Sequence, residues 1–366
     1  MFTKAMWRRL GMGAALGSAV IGGCSHDQIV APPVEEFRVV DLAATLNAPA
    51  SLQLLPLSTY DGSGQSVHPD FVAPPRSWGH GLVYLVLTPY PGGKTKHENP
   101  SLYAGLDGVT WGAAPGAPMP LARPKAGYLS DPDISYNAAK KELVLYYRQA
   151  SSVDKLFMIT SPDGASWSSP TLVLTSASST VLSPSIVQRA DGDWRMWTVN
   201  GAPGCHGKST SVAMRRSTDG QTWSDPERVD LPVLAGQLPW HLDVQWISAR
   251  NEYWALFPVK LPGTCNTRAV YLATSPDGLA WNTLATPVLT AGAIPEFRDV
   301  VYRSTFAYDA ATDEITFWFS GARRHKKHIV WRTAVQRRSR SDVFNADAGV
   351  AIAGPGDDLR AAFVPP

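Results

Sequence analysis

The stretch Ser161-Pro162-Asp163-Gly164-Ala165-Ser166-Trp167 contains a short motif, Asp-Gly-x-x-Trp, that occurs four times in the chain. Its aspartates are Asp107, Asp163, Asp219 and Asp277, at intervals of 56, 56 and 58 residues. A constant period of this size is typical of propellers and solenoids, whose units bury their faces against each other. Asp accepts hydrogen bonds from nearby backbone amides, and Gly supplies the positive φ of a tight reversal. The motif therefore predicts four hairpin turns, each followed by a Trp that packs between sheets.

A second alignment gives five units rather than four. The units open with His68-Pro69-Asp70-Phe71, Asp131-Pro132-Asp133-Ile134, Ser183-Pro184-Ser185-Ile186, His241-Leu242-Asp243-Val244 and Arg303-Ser304-Thr305-Phe306. Short alternating runs between turn signals predict antiparallel strands. We therefore predict an all-β fold, a five-bladed β-propeller of four-stranded antiparallel blades over roughly residues 65–336, with no helix beyond the first 23 residues. Either 37–42 or the tail from Asp342 to Ala353 is expected to complete the fifth blade and close the ring.

The N-terminus has the three parts of a secretory signal: basic residues, an apolar stretch from Leu10 to Ile21, and small residues. The segment Ile21-Gly22-Gly23-Cys24 resembles the bacterial lipobox, in which the cysteine thiol is acylated after cleavage. We expect a signal peptide over 1–23, a lipid-anchored tether over 24–45 and one propeller domain over 46–366. Because Ser25 follows the cysteine, the expected location is the outer membrane of a bacterial envelope.

Three of the 33 basic residues lie in the signal, which leaves 30 against 31 acidic ones and a net charge near −1. This balance gives no indication of a nucleic-acid partner, and we expect a monomer that meets the membrane only through its lipid. With Cys24 acylated, Cys205 and Cys265 remain, in equivalent loops of adjacent units. In an oxidising compartment they are expected to form a disulfide.

The innermost strands of a propeller run in the same direction along its axis, so their first residues converge at one end of the channel. Loops that join second and third strands reach the same end. The residues expected from the strands are His68, Asp70, Asp131, Asp133, Ser183, Ser185, His241, Asp243 and Arg303. Those expected from the loops are Glu98, Asn99, Arg148, Asn200, Lys260 and Arg323. No short ligand spacing such as His-x-x-x-His is present, so no metal or cofactor is predicted, with Ca²⁺ in the channel as the alternative. Asp133 and Asp243 have a second interpretation, as acceptors for backbone amides in the channel wall.

Five blades with Asp131-Pro132-Asp133-Ile134 on an innermost strand resemble the glycoside hydrolases of the arabinanase, xylosidase and invertase type, and the repeated turn is similar to the Asp-box of sialidases. The resemblance implies a carbohydrate or glycoconjugate substrate, cleaved in the axial pocket by two carboxyl groups. The residues that it implies for catalysis are Asp70, Asp131 and Glu98. The residues that it implies for substrate binding are His68, Asn99, Asp133, Arg148, His241, Asp243 and Arg303.

Two departures from that pattern leave a second function open. The hydrolases have Asp before the proline of the first blade and a catalytic Glu on the third, where this chain has His68, Ser183 and Ser185. The alternative is therefore a non-catalytic propeller that binds a glycan or a protein.

Overall fold

The computed structural model describes residues 46, 48–325 and 328–346. The expected signal segment, the acylation site Cys24 and the tether lie outside these residues. No helix in the described part of the chain is long and apolar enough to cross a bilayer.

Five antiparallel sheets follow one another along the chain and form the five predicted blades. Blade I consists of Ser66–Val72, Val83–Pro89, Ser101–Gly105 and Gly112–Ala113. Blade II consists of Tyr128–Asn137, Glu142–Ala150, Val153–Ser161 and Thr171–Ala177. Blade III consists of Leu182–Ala190, Asp193–Asn200, Ser211–Ser217 and Glu227–Val229.

The last two blades have interrupted inner strands. Blade IV consists of Leu238–Pro239 and Asp243–Ile247, then Glu252–Lys260, Thr267–Ser275, and an outer strand in the two pieces Asn282–Thr283 and Leu289–Thr290. Blade V consists of Val300–Val301 and Thr305–Asp309, then Glu314–His325 and His328–Ser339. The predicted all-β propeller of five blades is confirmed.

Blade V is completed by residues from the start of the described chain. The strand Gln53–Leu54 pairs antiparallel with Val335 and Ala334 of the third strand. Of the two segments expected there, 37–42 lies outside the described residues. The tail from Asp342 is described only to Ala346, where it belongs to an unpredicted helix, Arg340–Asn345, capped by the hydroxyl of Ser339.

The four Asp-Gly-x-x-Trp motifs form the predicted turns. In blade II, Asp163 Oδ1 accepts hydrogen bonds from the amides of Ala165 (2.8 Å) and Ser166 (2.7 Å). Gly164 has φ 75°, in the left-handed region that only glycine adopts at little cost.

Three of the four turns accept a hydrogen bond from an aromatic residue on the second strand of the preceding blade. Tyr146 donates its hydroxyl to the carbonyl of Gly220 (2.7 Å), Trp197 donates its indole N–H to that of Gly278 (2.7 Å), and Trp318 of blade V does the same to Gly108 of blade I (2.8 Å). These contacts join blades and leave no room at the glycine for a side chain.

Blade V lacks the motif, and the short helix takes its place. Trp254, on the second strand of blade IV, has its ring centroid 5.0 Å from that of Tyr308 and 5.1 Å from that of Phe344 of the helix. A separate apolar cluster fills each of the five interfaces between blades. Packing therefore closes the ring at every interface. At the interface between blades IV and V the short helix replaces the Asp-Gly-x-x-Trp turn.

We predict that Gly278→Ala is more destabilising than Gly192→Ala. Both glycines have positive φ (78° and 73°), but a Cβ on Gly278 would lie 2.5 Å from Trp197 Cζ2, whereas one on Gly192 meets nothing within 4 Å. Backbone strain alone costs about 1 kcal/mol at Gly192, and overpacking brings the loss at Gly278 to about 3 kcal/mol. Urea unfolding of the two variants measures the difference. Equal losses of unfolding free energy would show that the contact between Gly278 and Trp197 does not contribute to stability.

A second prediction concerns acid stability. Backbone hydrogen bonds from Thr222 and Gln221 lower the pKa of Asp219 from 3.8 to about 2. Because the folded pKa is depressed, this stabilisation is present above the unfolded pKa and is lost as the pH falls through the folded one. We expect the free energy of unfolding to fall between about pH 4 and pH 2, and to fall less steeply in Asp219→Asn. If the free energy of unfolding falls with pH equally steeply in the wild type and in Asp219→Asn, Asp219 does not contribute to acid stability.

Candidate active site

The inner strands of all five blades are irregular at the same level. In blades I to III the register shifts between Val67 and Asp70, between Ser130 and Asp133, and between Leu182 and Ser185. In blades IV and V the strand is interrupted at 240–242 and at 302–304. Bulges of this kind redirect side chains and are common beside functional sites.

The bulges in blades I to III have an unusual backbone. His68, Asp131 and Ser183, each followed by proline, have φ of 56°, 52° and 44°. A non-glycine residue in this region costs about 1–3 kcal/mol and persists only where the surrounding structure enforces it. Three such residues at equivalent positions indicate that the direction of these side chains is imposed by the ring.

Two groups of side chains result. The mouth tier consists of His68, Asp131, Ser183 and His241, which are the first residues of the first four of the five aligned openings. The channel tier consists of the residues two positions further on, Asp70, Asp133, Ser185, Asp243 and Thr305, together with Arg303.

The mouth tier brings two imidazoles onto one carboxylate. His68 Nε2 lies 3.4 Å and His241 Nδ1 lies 3.5 Å from Asp131 Oδ1. One donor atom from each of the three residues lies within 4.8 Å of the other two. The side chains are almost completely hidden from solvent, with exposures of 4%, 0% and 3% for His68, Asp131 and His241.

One atom of each of these three side chains is hydrogen-bonded by a neighbour. His68 Nδ1 lies 3.2 Å from Thr88 Oγ1, His241 Nδ1 is bonded to the hydroxyl of Ser183, and Asp131 Oδ2 accepts from Arg148 Nε at 2.8 Å. The remaining atoms are His68 Nε2, Asp131 Oδ1 and His241 Nε2. All three are buried and have no hydrogen-bond partner within the described chain. Unpaired buried polar atoms are costly, so this arrangement requires a reason.

The charges of the mouth tier follow from burial and from one guanidinium. Burial alone would raise the pKa of Asp131, but the adjacent Arg148 and the two imidazoles hold it well below its usual range. Burial lowers the pKa of His68 to about 4 and that of His241 well below 6.5. Arg148 also bonds Asp154 (2.9 Å), so its charge is shared between two carboxylates.

Glu98 and Asn99 reach the mouth from the loop of blade I, as expected. Glu98 Oε2 lies 3.5 Å from His68 Nδ1 and has no hydrogen-bond partner within the described residues. Burial, followed by the charge of Asp131, raises the pKa of Glu98 well above 4.5. Asn99 donates its amide to the hydroxyl of Tyr60 (2.7 Å).

The channel tier holds the blades together. Asp70 Oδ2 accepts from the amide of Ile134 (2.5 Å), and Asp133 Oδ2 accepts from that of Ile186 (3.1 Å), in each case from the next blade. Asp243 accepts instead from the hydroxyl of Thr305 (3.0 Å). Asp70 therefore lies with Asp133 and Asp243, within 4.8 Å of both, rather than with the mouth tier.

Arg303 is fully buried beside these carboxylates. Its Nη1 donates to the carbonyl of Pro132 (2.7 Å), and its Nη2 lies 3.8 Å from Asp133 Oδ1. Burial, only partly offset by this guanidinium, raises the pKa values of Asp70, Asp133 and Asp243.

An aromatic wall leads from the mouth tier to the rim of the channel. The ring of Tyr302 lies 4.4 Å from that of His241 and 5.2 Å from that of Trp331, which lies 5.3 Å from that of Tyr90. Trp331 comes from the third strand of blade V, and the sequence alignment did not indicate it because no motif marks its position.

The expected disulfide is present. Cys205 and Cys265 are bonded, with Cα atoms 4.8 Å apart, and join the loops after the second strands of blades III and IV. Lys260 reinforces this part of the rim by donating to the carbonyls of Cys205 (2.8 Å) and Gly207 (2.9 Å).

Comparison with known proteins gives a relative among sugar-modifying enzymes. No protein-family model matches the chain. The A type blood N-acetyl-alpha-D-galactosamine deacetylase of Flavonifractor plautii is 28% identical over 311 residues, which are 71% of this chain and 40% of that protein. The chain thus spans less than half of that relative's length.

Solved structures with the same fold include the N-acetylgalactosamine deacetylase from F. plautii in complex with blood group B trisaccharide. Its TM-score is 0.74 at 24% identity, over 83% of this chain and 99% of that one. The α-L-arabinofuranosidase Arb93A of Fusarium graminearum has a TM-score of 0.52 at 11% identity (81% and 98% covered). The catalytic domain of the Coprinopsis cinerea GH62 α-L-arabinofuranosidase has a TM-score of 0.54 at 13% identity (78% and 97% covered). The chain therefore has the five-bladed propeller fold of the arabinanase-type glycoside hydrolases, which a sugar deacetylase shares.

Proposed function

We propose that the chain is a metal-dependent hydrolase that removes the acetyl group from an N-acetylated amino sugar. One observation carries the proposal: the three buried, unpaired atoms of the mouth tier are two imidazole nitrogens and one carboxylate oxygen, and the other atom of each side chain is already bonded. Metal ligands in proteins have this arrangement, because contacts on the far atom fix the tautomer and direction of the near one.

Two histidines and one carboxylate form the kind of ligand set that holds a catalytic divalent cation such as Zn²⁺ while leaving a coordination position open. His68, Asp131 and His241 would hold the ion. Such an ion polarises an acyl carbonyl and lowers the pKa of water. This departs from the expectation of no metal, which rested on sequence spacing; the three residues are 63 and 110 positions apart.

The other residues of the site have roles that suit amide hydrolysis. Arg148 keeps Asp131 ionised and turns Oδ1 toward the imidazoles, and Thr88 and Ser183 orient the two rings. Glu98 offers an unpaired carboxyl oxygen beside His68 for proton transfer to the leaving amine. The aromatic wall offers faces on which a sugar ring can stack. The similarity to the F. plautii deacetylase supports the same reaction.

Cleavage of a glycosidic bond by two carboxyl groups fits this geometry less well. The imidazole of His68 stands between the expected pair, with Glu98 3.5 Å from one nitrogen and Asp131 3.4 Å from the other. A scissile bond between the two carboxyls would need that space. Asp70, the third expected catalytic residue, is bonded to the amide of Ile134 in the channel tier.

A serine nucleophile is also disfavoured, although Ser183, His241 and Asp131 adjoin one another. A catalytic triad needs serine and carboxylate on opposite nitrogens of the imidazole. Here both lie at Nδ1 of His241.

Export and lipid anchoring at Cys24 remain part of the proposal. The disulfide between Cys205 and Cys265 supports it, because such bonds persist in oxidising compartments.

The expected result for the purified protein is release of acetate from glycosides of N-acetylgalactosamine or N-acetylglucosamine, with about one divalent ion bound per chain. His241→Ala is expected to lose the ion and to lower kcat/KM by at least about 100-fold, because one of three ligands is gone. His80→Ala is the control, because His80 is exposed at the other end of the propeller. This variant is expected to keep the bound ion and the wild-type kcat/KM. Metal analysis and an acetate assay make the measurement.

Retention of full activity after chelation, with no ion lost from His241→Ala, would refute the proposal. Release of free sugar from aryl-glycosides without acetate would instead favour the glycosidase, and binding without either product would favour the non-catalytic propeller.

Thr88→Val tests whether the hydroxyl orients His68. The substitution conserves shape but removes the bond to Nδ1, and we expect metal affinity to fall by about 10-fold. Thr333→Val is the matched control, because Thr333 is an equally buried threonine whose hydroxyl bonds Ser66. Competition with a chelator of known affinity measures both, and equal affinities would assign Thr88 a packing role only.

A further inference from the structure

Exposed cations are distributed unequally between the two ends of the propeller, although the net charge is near zero. At the Asp-box end, arginines are paired with acids: Arg189 with Asp193 (2.8 Å), Arg337 with Glu314 (3.0 Å) and Arg340 with Asp313 (2.8 Å). Further pairs there join Arg216 to Glu227 and Arg250 to Glu252. These arginines are therefore compensated locally, although Lys140 and Lys141 at this end are exposed and form no ion pair within the described chain.

At the mouth end Arg298 pairs with Asp299 (3.3 Å), but several other exposed cations of the described chain form no ion pair. Lys94 and Lys96 lie in the loop that delivers Glu98, and Arg323 lies on the second strand of blade V. All three are exposed, and none of them forms an ion pair within the described chain. Lys125 and Lys208 in other loops of this end, and Arg268 on the third strand of blade IV, are also exposed and form no ion pair within the described chain. Uncompensated charge around a concave site focuses potential into it.

Lys94, Lys96 and Arg323 form one surface, which we call the basic rim. The two elements that carry them are locked together, because Gln65 Oε1 accepts from the amides of both Gly92 (3.2 Å) and Trp331 (3.2 Å). Arg323 lies one residue beyond Ala322, the partner of Trp331 in the sheet. These contacts fix the backbone of the two elements, so the three cations lie on one surface.

The aromatic wall connects the basic rim to the mouth tier. Ring contacts run from Tyr90 to Trp331 (5.3 Å), from Trp331 to Tyr302 (5.2 Å) and from Tyr302 to His68 (5.4 Å). A sugar chain that stacks on this wall would have one residue at the unpaired ligand atoms and the next beneath the lysines. Aromatic faces bind sugars of any charge. Selection of anionic over neutral sugars would therefore come from the cations of the basic rim.

We infer that the substrate is an anionic carbohydrate, with carboxylate or sulfate groups on the residues next to the reacting sugar. This rests on the proposed function for the reaction, but the binding step can be tested alone. Electrostatic attraction of this kind also predicts salt dependence, because exposed charges are screened over about 8 Å at physiological ionic strength.

The test uses saccharides without acetamido groups, so that turnover plays no part. Polygalacturonate oligosaccharides present carboxylates, dextran sulfate presents sulfates, and dextran is the neutral reference. By calorimetry in low salt we expect at least tenfold tighter binding of one or both anionic probes than of dextran, and weaker binding at 0.3 M salt. Tighter binding of polygalacturonate indicates a carboxylate on the substrate, and tighter binding of dextran sulfate indicates a sulfate.

Charge reversal locates the surface. Lys94→Glu with Lys96→Glu is expected to weaken binding of the anionic probe more than tenfold. Lys140→Glu with Lys141→Glu, a pair of exposed lysines in a turn at the Asp-box end, is the matched control and changes it less than twofold. Circular dichroism and thermal unfolding of both double variants establish that each is folded.

Equal affinity for dextran and the anionic probes, or equal losses in the two double variants, would overturn the inference. So would tighter binding of single-stranded DNA or of phosphatidylglycerol vesicles, which would make the rim a surface for those partners. If no acetate is released but anionic saccharides bind through the basic rim, the proposed reaction is wrong and the proposed substrate class stands. If acetate is released but the lysine substitutions do not weaken binding, the proposed substrate class is wrong and the proposed reaction stands.

Discussion

The break in the inner strands is the constraint on which the site depends. Five strands converge on one axis, and a regular strand would carry its ladder of backbone pairs past the mouth without turning any side chain toward the centre. The left-handed residues His68, Asp131 and Ser183 interrupt the ladder at one level and aim their side chains inward. Each is a strained conformation, so it needs a rigid frame. That frame has two parts. Three Asp-box turns are bonded to an aromatic residue of the preceding blade, and Asp70 and Asp133 of the channel tier accept from amides of the next.

Both tiers contain buried aspartate, but they balance its charge differently. In the mouth tier a single carboxylate, Asp131, faces Arg148 at 2.8 Å, and its pKa is held low. In the channel tier three carboxylates share Arg303, and burial raises their pKa values. Asp131 is therefore the anion of the site, while the channel carboxylates act mainly as hydrogen-bonding groups in the wall. Aspartates two positions apart on one strand, Asp131 and Asp133, thus have opposite electrostatic character.

Much of the fold could be predicted from the sequence because its signals are local and repeated. The spacing of Asp107, Asp163, Asp219 and Asp277 and the five aligned openings establish the blades, and equivalent loop positions identify the disulfide. The site was predicted only as a set of residues at one mouth. Which of them touch is decided by the bulges: a bulge moves Asp70 away from Glu98, and three blades bring His68, Asp131 and His241 together without any short spacing. Closure by Gln53–Leu54 was missed because two residues have no detectable period. Arg323 was expected at this rim, but the basic rim as a surface was not predicted, because a net charge does not show which charged side chains form ion pairs.

His68 connects these observations. In the glycoside hydrolases that the chain resembles, this position before the first proline is aspartate, and a second catalytic acid comes from the third blade. Here the imidazole occupies the space between Glu98 and Asp131, so it separates two carboxyls that a glycosidase would need on either side of the scissile bond. The same ring provides an unpaired Nε2 directed at Asp131 Oδ1, and Ser183 of the third blade bonds the second imidazole where an acid would otherwise stand. The two departures from the hydrolase pattern therefore meet at one place, where His68 and His241 lie beside Asp131 and form the donor set of the proposed metal site.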